Sequence, residues 1–463
     1  MDLPHQIFRA YDLRGIAGEE VTPEVFYRVG LAYGEELTLR GLRGVALGGD
    51  NRPSTPELMA AFADGVSASG RKVFDVGIQP TPVAYFAREM LGGVGVAIVT
   101  ASHNPKEYNG LKLGYREAAL SEEEIQALYH ASLHSHRPAG GGGRVATDVR
   151  DAYTDDWVRR IAGPYDLSVV ADCGNGTAGL FEPALSARAV RRAEGLFTEP
   201  DANYPNHHPD PSIEVNLETL AEQVRVSGAD LGVGYDGDAD RLGLVDERGR
   251  FVAVDRLMVL LWREILASHP GAVALVEVKC SKVLWDELQR LGARPEFCRS
   301  GHAPIKRLLK ERGAPFAGEL SGHMFFADRF FGYDDAFYAA GRVYELLGKT
   351  GRRLGDLLDE LPVTHATPEI RFEVPEERKF QAVADVAQEL GRVHEVVTVD
   401  GVRAVLPGGW ALVRASNTQP VAVLRAEADT PAELSQILAT VEEAATRVGF
   451  AELAGAARSA ARA

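Results

Sequence analysis

Three stretches of the chain repeat one order of parts: a short apolar run, a polar or glycine-rich turn, and a segment with one apolar helical face. Residues 45–50 (Val-Ala-Leu-Gly-Gly-Asp) pass through Asn51, Arg52 and Pro53 toward a helix starting near Thr55. Residues 167–172 pass through Cys173, Gly174, Asn175 and Gly176 into a second helix, and residues 273–279 pass Cys280 and Ser281 into a third. A buried strand leading through a tight turn into a helix is the opening of a parallel-sheet unit, so each stretch demands α/β folding. The recurrence predicts three similar α/β domains with mixed sheets. The last hundred residues differ. Short strands at 396–399, 402–406, 410–413 and 420–427 form a meander with Asp-Gly and Gly-Gly turns. Thr430, Pro431 and Glu433 then form a capping-box start for a helix whose apolar face carries Leu434, Leu438 and Val441. This predicts a C-terminal α+β domain, with a tail that frays from Ala454.

The predicted domains span residues 1–140, 141–245, 246–362 and 363–463, with the glycine run at 140–143, after Arg137 and Pro138, as a flexible linker. A chain of 463 residues exceeds what one core supports, and 45% hydrophobic with 25% charged residues is ordinary for a globular protein. No apolar run reaches the ~20 residues that cross a membrane, and the N-terminus lacks the pattern of a signal peptide. Three cysteines without CxxC spacing fit a reducing cytoplasm. The formal charge of −16 argues against nucleic-acid binding, and it requires that any anion site be a local concentration of Arg and Lys.

Residues 100–105 (Thr-Ala-Ser-His-Asn-Pro) follow the apolar run at 94–99, at the strand end where open α/β sheets place ligands. Asn104-Pro105 forces a turn, which predicts an exposed Ser102 hydroxyl with the His103 imidazole beside it. Residues 236–241 (Asp-Gly-Asp-Ala-Asp-Arg) put alternating carboxylates on a tight loop, where oxygen donors suit a hard cation. An EF-hand would need glycine where Arg241 stands, and the flanks read as strands. Residues 318–323 (Gly-Glu-Leu-Ser-Gly-His) offer groups that match sugar hydroxyls. Residues 414–420 (Arg-Ala-Ser-Asn-Thr-Gln-Pro) make a phosphate cradle, or else a polar hairpin loop. Lys279, His302 and Lys306 add cationic and titratable groups. The GxGxxG match at 174–179, with Glu194 beyond it, reads as a close strand-to-helix turn, and the Asn-His-His-Pro-Asp run at 206–210 as structural.

The order of these loops, with residues 8–15 ahead of them, closely resembles the α-D-phosphohexomutase superfamily, and most of all its phosphomannomutase/phosphoglucomutase branch. The resemblance implies four domains around a central active-site cleft, and a phosphoryl carrier at Ser102. It implies Mg²⁺ ligands at Asp236, Asp238, Asp240 and the phosphoserine, with sugar recognition by Glu319 and Ser321. It implies phosphate binding by Arg414, Ser416, Asn417 and Thr418, supported by Arg425. Tyr11, Arg14, His103, Lys112, Arg241, Lys279, His302 and His323 match further active-site positions. His302, His323 and Lys112 are candidate general bases. The implied reaction interconverts hexose 1- and 6-phosphates of mannose or glucose through a hexose 1,6-bisphosphate. Phosphoglucosamine mutase is the enzymatic alternative; a sugar phosphatase and a non-catalytic sugar-phosphate-binding protein are the others. Ala239 departs from the glycine more common in the metal loop; its methyl is tolerated there if φ is negative, and the ion is then expected to be unchanged. The sequence does not choose between monomer and dimer.

Overall fold

The structure, a computed structural model, describes residues 3–116, 118–134, 140–416 and 420–462. It comprises two compact units: Met1–Val254 with Ser321–Leu357, and Asp255–Leu320 with Leu358–Ala463.

The first unit holds two sheets. In one, the buried strand Gly44–Gly49 lies parallel to both Lys72–Ile78 and Gly95–Val99, and Gly95–Val99 pairs antiparallel with Tyr108–Tyr115. In the other, Tyr165–Asp172 lies parallel to Val190–Leu196 and Leu231–Tyr235, and Leu231–Tyr235 pairs antiparallel with Leu242–Asp246. The two sheets thus share one local order, as the sequence repeat predicts. Helices Pro23–Leu39 and Thr55–Ala68 cover the first sheet. They meet at glycines: a Cβ on Gly30 would lie 2.3 Å from the Phe62 carbonyl oxygen, and one on Gly65 would lie 2.1 Å from that of Tyr27. Any side chain at either position would push the helices apart.

The second unit repeats the motif in Val273–Glu277, parallel to Arg294–Cys298 and Phe316–Gly318. It adds an antiparallel sheet in which Gly409–Ala415 is flanked by Val402–Leu406 and Val421–Ala428. Helices Lys379–Leu390, Pro431–Arg447 and Ala451–Ala460 bury their apolar faces on this sheet. Thr430 caps the second of these by accepting from the Glu433 amide at 3.2 Å.

Two expectations change. The tail does not fray at Ala454, because Leu453, Ala454 and Ala457 give the last helix a buried face. Nor is the glycine run simply a linker: Gly143 opens the strand Gly143–Ala146, which extends the first sheet beside Lys72–Ile78. Arg137 and Pro138 lie outside the described residues. Among the described residues, no helix is long and apolar enough to cross a membrane.

Candidate active site

Ser102 sits just past the buried strand Gly95–Val99, with φ at +52° in the left-handed region that side chains other than glycine seldom adopt. It is 2% exposed rather than open to solvent, because its loop folds against the Asp-rich loop of the second sheet. Its Oγ donates to Asp236 Oδ2 at 2.8 Å and lies 3.2 Å from His103 Nδ1. Gly237 permits the close approach: a Cβ there would lie 2.8 Å from the Ser102 carbonyl oxygen. Burial first, then Arg241 and Arg14, pushes the His103 pKa well below its usual value, so the ring is neutral at neutral pH.

Asp236, Asp238 and Asp240 are fully buried and offer ligand oxygens within 4.8 Å of one another. Asp236 Oδ1 accepts the backbone N–H groups of Asp240 and Arg241 at 3.0 and 3.1 Å, which shapes the loop around its first carboxylate. Lys112 Nζ donates to Asp238 Oδ2 at 2.7 Å and to Asp240 Oδ2. Thr81 Oγ1 donates to Asp238 Oδ2 at 2.6 Å. Burial and the two neighbouring carboxylates push the Asp236 pKa up. Burial acts the same way on Asp238, but the Lys112 ammonium and the hydrogen bonds hold it well below the carboxylate range. The Lys112 pKa is raised despite burial by those two carboxylates, which keeps it an ammonium.

Lys112 and Arg241, the latter 3.9 Å from Asp236 Oδ2, do not balance three buried carboxylates, and Asp238 Oδ1 and Asp240 Oδ1 are buried without a hydrogen bond. An all-oxygen donor set of this kind fits a hard divalent cation. A second cluster, Asp240, His323 and Asp334, brings its ligand atoms equally close together. There Arg241 Nε donates to His323 Nε2 at 3.0 Å, so the ring proton sits on Nδ1, 3.5 Å from Asp240 Oδ1 and 3.3 Å from Asp334 Oδ2. A protonated nitrogen is no metal ligand, and the Arg241 hydrogen bond fixes this His323 tautomer. Arg14 reaches the phosphoserine-candidate loop through Asn104 Oδ1 at 3.2 Å, and Tyr11 lies in the bend just before the strand Leu13–Ile16.

The second unit assembles a separate set. Lys279 Nζ lies 3.1 Å from Glu277 Oε1 and 3.4 Å from Glu369 Oε1. Glu319 Oε1 accepts from the Gly301 amide at 2.5 Å, just ahead of buried His302 at the start of helix His302–Arg312. Arg414, one residue before the end of the strand Gly409–Ala415, lies 3.2 Å from Asp400 Oδ2. Strand register puts Arg425 diagonal to Arg414 on the same face. Nε of both arginines is buried, with no hydrogen-bond partner among the described residues. The Ser416 amide closes the hairpin on the Val421 carbonyl at 2.9 Å; Asn417 and Thr418 lie outside the described residues.

Ser102, His103, Lys112, the three aspartates, Arg241 and His323 therefore come together in the first unit. Lys279, His302, Glu319, Arg414 and Arg425 belong to the second, and Ser321 opens the returning segment of the first. The Gly174–Gly179 loop buttresses the metal-candidate loop, since Thr177 donates to the Gly237 carbonyl through its amide at 3.0 Å and its Oγ1 at 3.1 Å. His207 pairs with Asp172 at 3.1 Å and is structural. The flanking strands Leu231–Tyr235 and Leu242–Asp246 exclude an EF-hand. Ala239 sits at φ +58°, not at negative φ: the turn that gathers the three carboxylates needs a left-handed residue there. Sequence reasoning passed over Asp50, Arg52, Asp334, Glu277 and Asp400. Glu277 had a signal, a carboxylate inside an otherwise apolar strand.

Models of one family match four successive segments. They are the phosphoglucomutase/phosphomannomutase alpha/beta/alpha domains I, II and III over residues 5–136, 151–249 and 253–365, and the C-terminal domain over residues 369–444. The chain belongs to the phosphoglucomutase/phosphomannomutase family. It is 42% identical to a phosphomannomutase/phosphoglucomutase of Pseudomonas aeruginosa over 94% of each chain. It is 38% identical to a phosphoglucomutase of Neisseria gonorrhoeae, over 94% of this chain and 95% of that one. A solved phosphoglucomutase/phosphomannomutase family structure from Burkholderia thailandensis superposes with a TM-score of 0.88 at 37% identity, covering 96% of this chain and 98% of that one. The chain is accordingly a phosphohexomutase, an intramolecular phosphotransferase of four domains.

Proposed function

We propose that the chain interconverts the 1- and 6-phosphates of glucose, mannose or both, with Ser102 as a phosphoryl carrier and a hexose 1,6-bisphosphate as intermediate. The observation that carries this is the Ser102 Oγ–Asp236 hydrogen bond beside two buried carboxylates with unsatisfied oxygens. Asp236, Asp238, Asp240 and Ser102 hold Mg²⁺, which when bound neutralises charge on the transferring phosphoryl group. The phosphorus–Oγ bond breaks as a sugar hydroxyl oxygen bonds to phosphorus. The hydroxyl proton passes to a base, and Ser102 Oγ recovers a proton. The bisphosphate reorients and returns its other phosphoryl group to Ser102. Lys112 is a poor base because two carboxylates keep it charged. We assign the base to His323, whose Nδ1 faces Asp334 and Asp240 at 3.3 and 3.5 Å and whose Nε2 trades Arg241 for the sugar hydroxyl. His302 is the alternative base. His103 supports the Ser102 oxygen, and Tyr11, Arg14, Arg241, Lys279, Glu319 and Ser321 orient the sugar phosphate. Arg414, Ser416, Asn417, Thr418 and Arg425 seat the distal phosphate, and the buried free Nε atoms of the two arginines support that role. The reading divides the chain at 1–140, 141–245, 246–362 and 363–463, and places it in the cytoplasm, in keeping with three buried free cysteines.

The test is a side-by-side assay of glucose 1-phosphate, mannose 1-phosphate and glucosamine 1-phosphate with Mg²⁺ and catalytic glucose 1,6-bisphosphate, with peptide mapping of the purified protein. Isomerised hexose 6-phosphate and one phosphoryl group on Ser102 are expected. Preference for the amino sugar would move the chain to the phosphoglucosamine branch. Inorganic phosphate as the main product would make it a phosphatase.

A further inference from the structure

The Arg52 guanidinium is wholly buried, so it touches no substrate, yet every one of its N–H donors has a place. Nε donates to Asp50 Oδ2 at 3.0 Å. Nη2 donates to the carbonyl oxygens of Ser102 and Asn104, both at 2.7 Å. Nη1 donates to those of Pro105 and Tyr108 at 2.6 and 3.0 Å. Three of the five bonds therefore gather carbonyls of the turn that carries Ser102, and a fourth reaches Tyr108, the first residue of the strand that follows it. Asp50 holds the other side: its Oδ2 accepts Thr100 Oγ1 at 2.7 Å, and Thr100 Oγ1 accepts the Ser102 amide at 2.9 Å. Ser102 is thus tied at its own N–H and its own C=O while its backbone occupies the left-handed region.

We propose that Arg52, acting with Asp50 and Thr100, is a positioning residue that fixes Ser102 in the conformation from which its Oγ carries the phosphoryl group. This rests on the mutase reading of Ser102. Left alone, a serine turn would relax toward negative φ and swing Oγ away from Asp236. The planar fork of a guanidinium reaches four carbonyls and a carboxylate at once; the three donors of a lysine ammonium, on a single nitrogen, do not. Arg52 therefore acts on the rate of transfer to and from Ser102, not on substrate affinity.

Arg52→Lys and Thr100→Val are compared with wild type in the full chain with Mg²⁺ and glucose 1,6-bisphosphate. In Arg52→Lys, kcat for glucose 1-phosphate is expected to fall about 100-fold, and in Thr100→Val about 10-fold, with KM within about threefold, the size of loss that small misplacement produces. Deuterium exchange of the peptide covering residues 100–108 rises in both variants while the rest of the chain exchanges as in wild type. A raised KM with kcat kept would assign Arg52 to substrate binding and overturn the proposal, as would unchanged exchange at 100–108. Should Arg52→Lys not fold, Thr100→Val decides, and an unchanged kcat there overturns the proposal. A wild type that neither isomerises hexose phosphates nor accepts a phosphoryl group would sink the proposed function instead, and exchange at 100–108 would still decide the positioning role.

Discussion

The two functional clusters of this chain are built on opposite principles. Around Ser102 the chain's own side chains hold the frame: Asp236 holds its own loop, Lys112 spans two carboxylates, and Arg52 binds the Ser102 turn. The buried atoms left without a hydrogen bond there include the carboxylate oxygens Oδ1 of Asp238 and Asp240. Around Lys279 and Arg414 the buried atoms left over include donors, Nε of Arg414 and of Arg425. On the proposed reading the first cluster holds the reacting atom still and suits a cation, and the second presents donors that suit an anion. Damage to the first should therefore appear in kcat and damage to the second in KM.

The contrast is tested hardest at Ser102 itself. Ser102→Ala removes the carrier, and turnover should fall at least ~10⁴-fold, with no phosphoryl group found by peptide mapping. A smaller loss, with turnover kept, would mean that the held cluster is not the reacting one. Chelation of divalent cations should cost roughly 10³-fold, reversed by Mg²⁺, because the carboxylates then repel the incoming phosphate. A rate indifferent to chelator would leave the two bare Oδ1 atoms without a purpose.

Buried carboxylates extend the contrast to stability. In the first unit no cation pairs with Glu182 among the described residues, and burial raises its pKa to about 7. In the second unit Glu277 is buried as deeply, but Lys279 with the Leu320 amide and the Ser300 hydroxyl hold its pKa below the usual value. The signs are opposite. Glu182 supports the fold while protonated, below its unfolded pKa, and that support is lost as pH rises through about 7. Glu277 supports the fold while ionised, above its unfolded pKa, and loses that support as pH falls through its depressed value. Glu182→Gln should therefore stabilise at pH 8 by on the order of 3 kcal/mol relative to its effect at pH 4. Glu277→Gln should destabilise most at neutral pH and least in acid. Urea denaturation across that pH range checks both, and parallel profiles for the two variants would refute the distinction.

Arg414→Ala comes next. Losing one guanidinium from the anion seat should raise KM about 10- to 100-fold and change kcat far less. Steady-state kinetics with glucose 1-phosphate reads this directly, and a fall confined to kcat would erase the difference between the clusters.

Much of this was legible in the sequence because it depends on local pattern. The apolar run before Thr100, the alternating aspartates at 236–240 and the Thr430 capping box each state their structure within a few residues. What escaped was non-local. Asp50 and Arg52 read as turn residues after a strand, and only the fold brings them under a loop fifty residues later. Ser102 was expected at the surface because nothing nearby shows that the loop at 236–241 will cover it. The arrangement of Asp334 behind His323 is invisible for the same reason.

Ala239 offers the finest test of how the held cluster is held. It is fully buried at φ +58°, where alanine is strained by about 1–2 kcal/mol relative to its usual conformations. Ala239→Gly removes that strain, but it forfeits a buried methyl worth about 0.8 kcal/mol and frees the unfolded chain by about 0.5–1 kcal/mol. The terms nearly cancel, so stability should move by less than about 1 kcal/mol. The turn is also pinned from both ends, by the Ala239 amide on the Asp236 carbonyl at 3.1 Å and by the Ala336 amide on the Ala239 carbonyl at 3.3 Å. If those bonds and the Asp236 carboxylate set the loop, kcat in Ala239→Gly stays within about threefold of wild type. A tenfold change would show that backbone strain, not the hydrogen-bond network, places the three carboxylates, and the account of the first cluster as a frame held by its own side chains would fail.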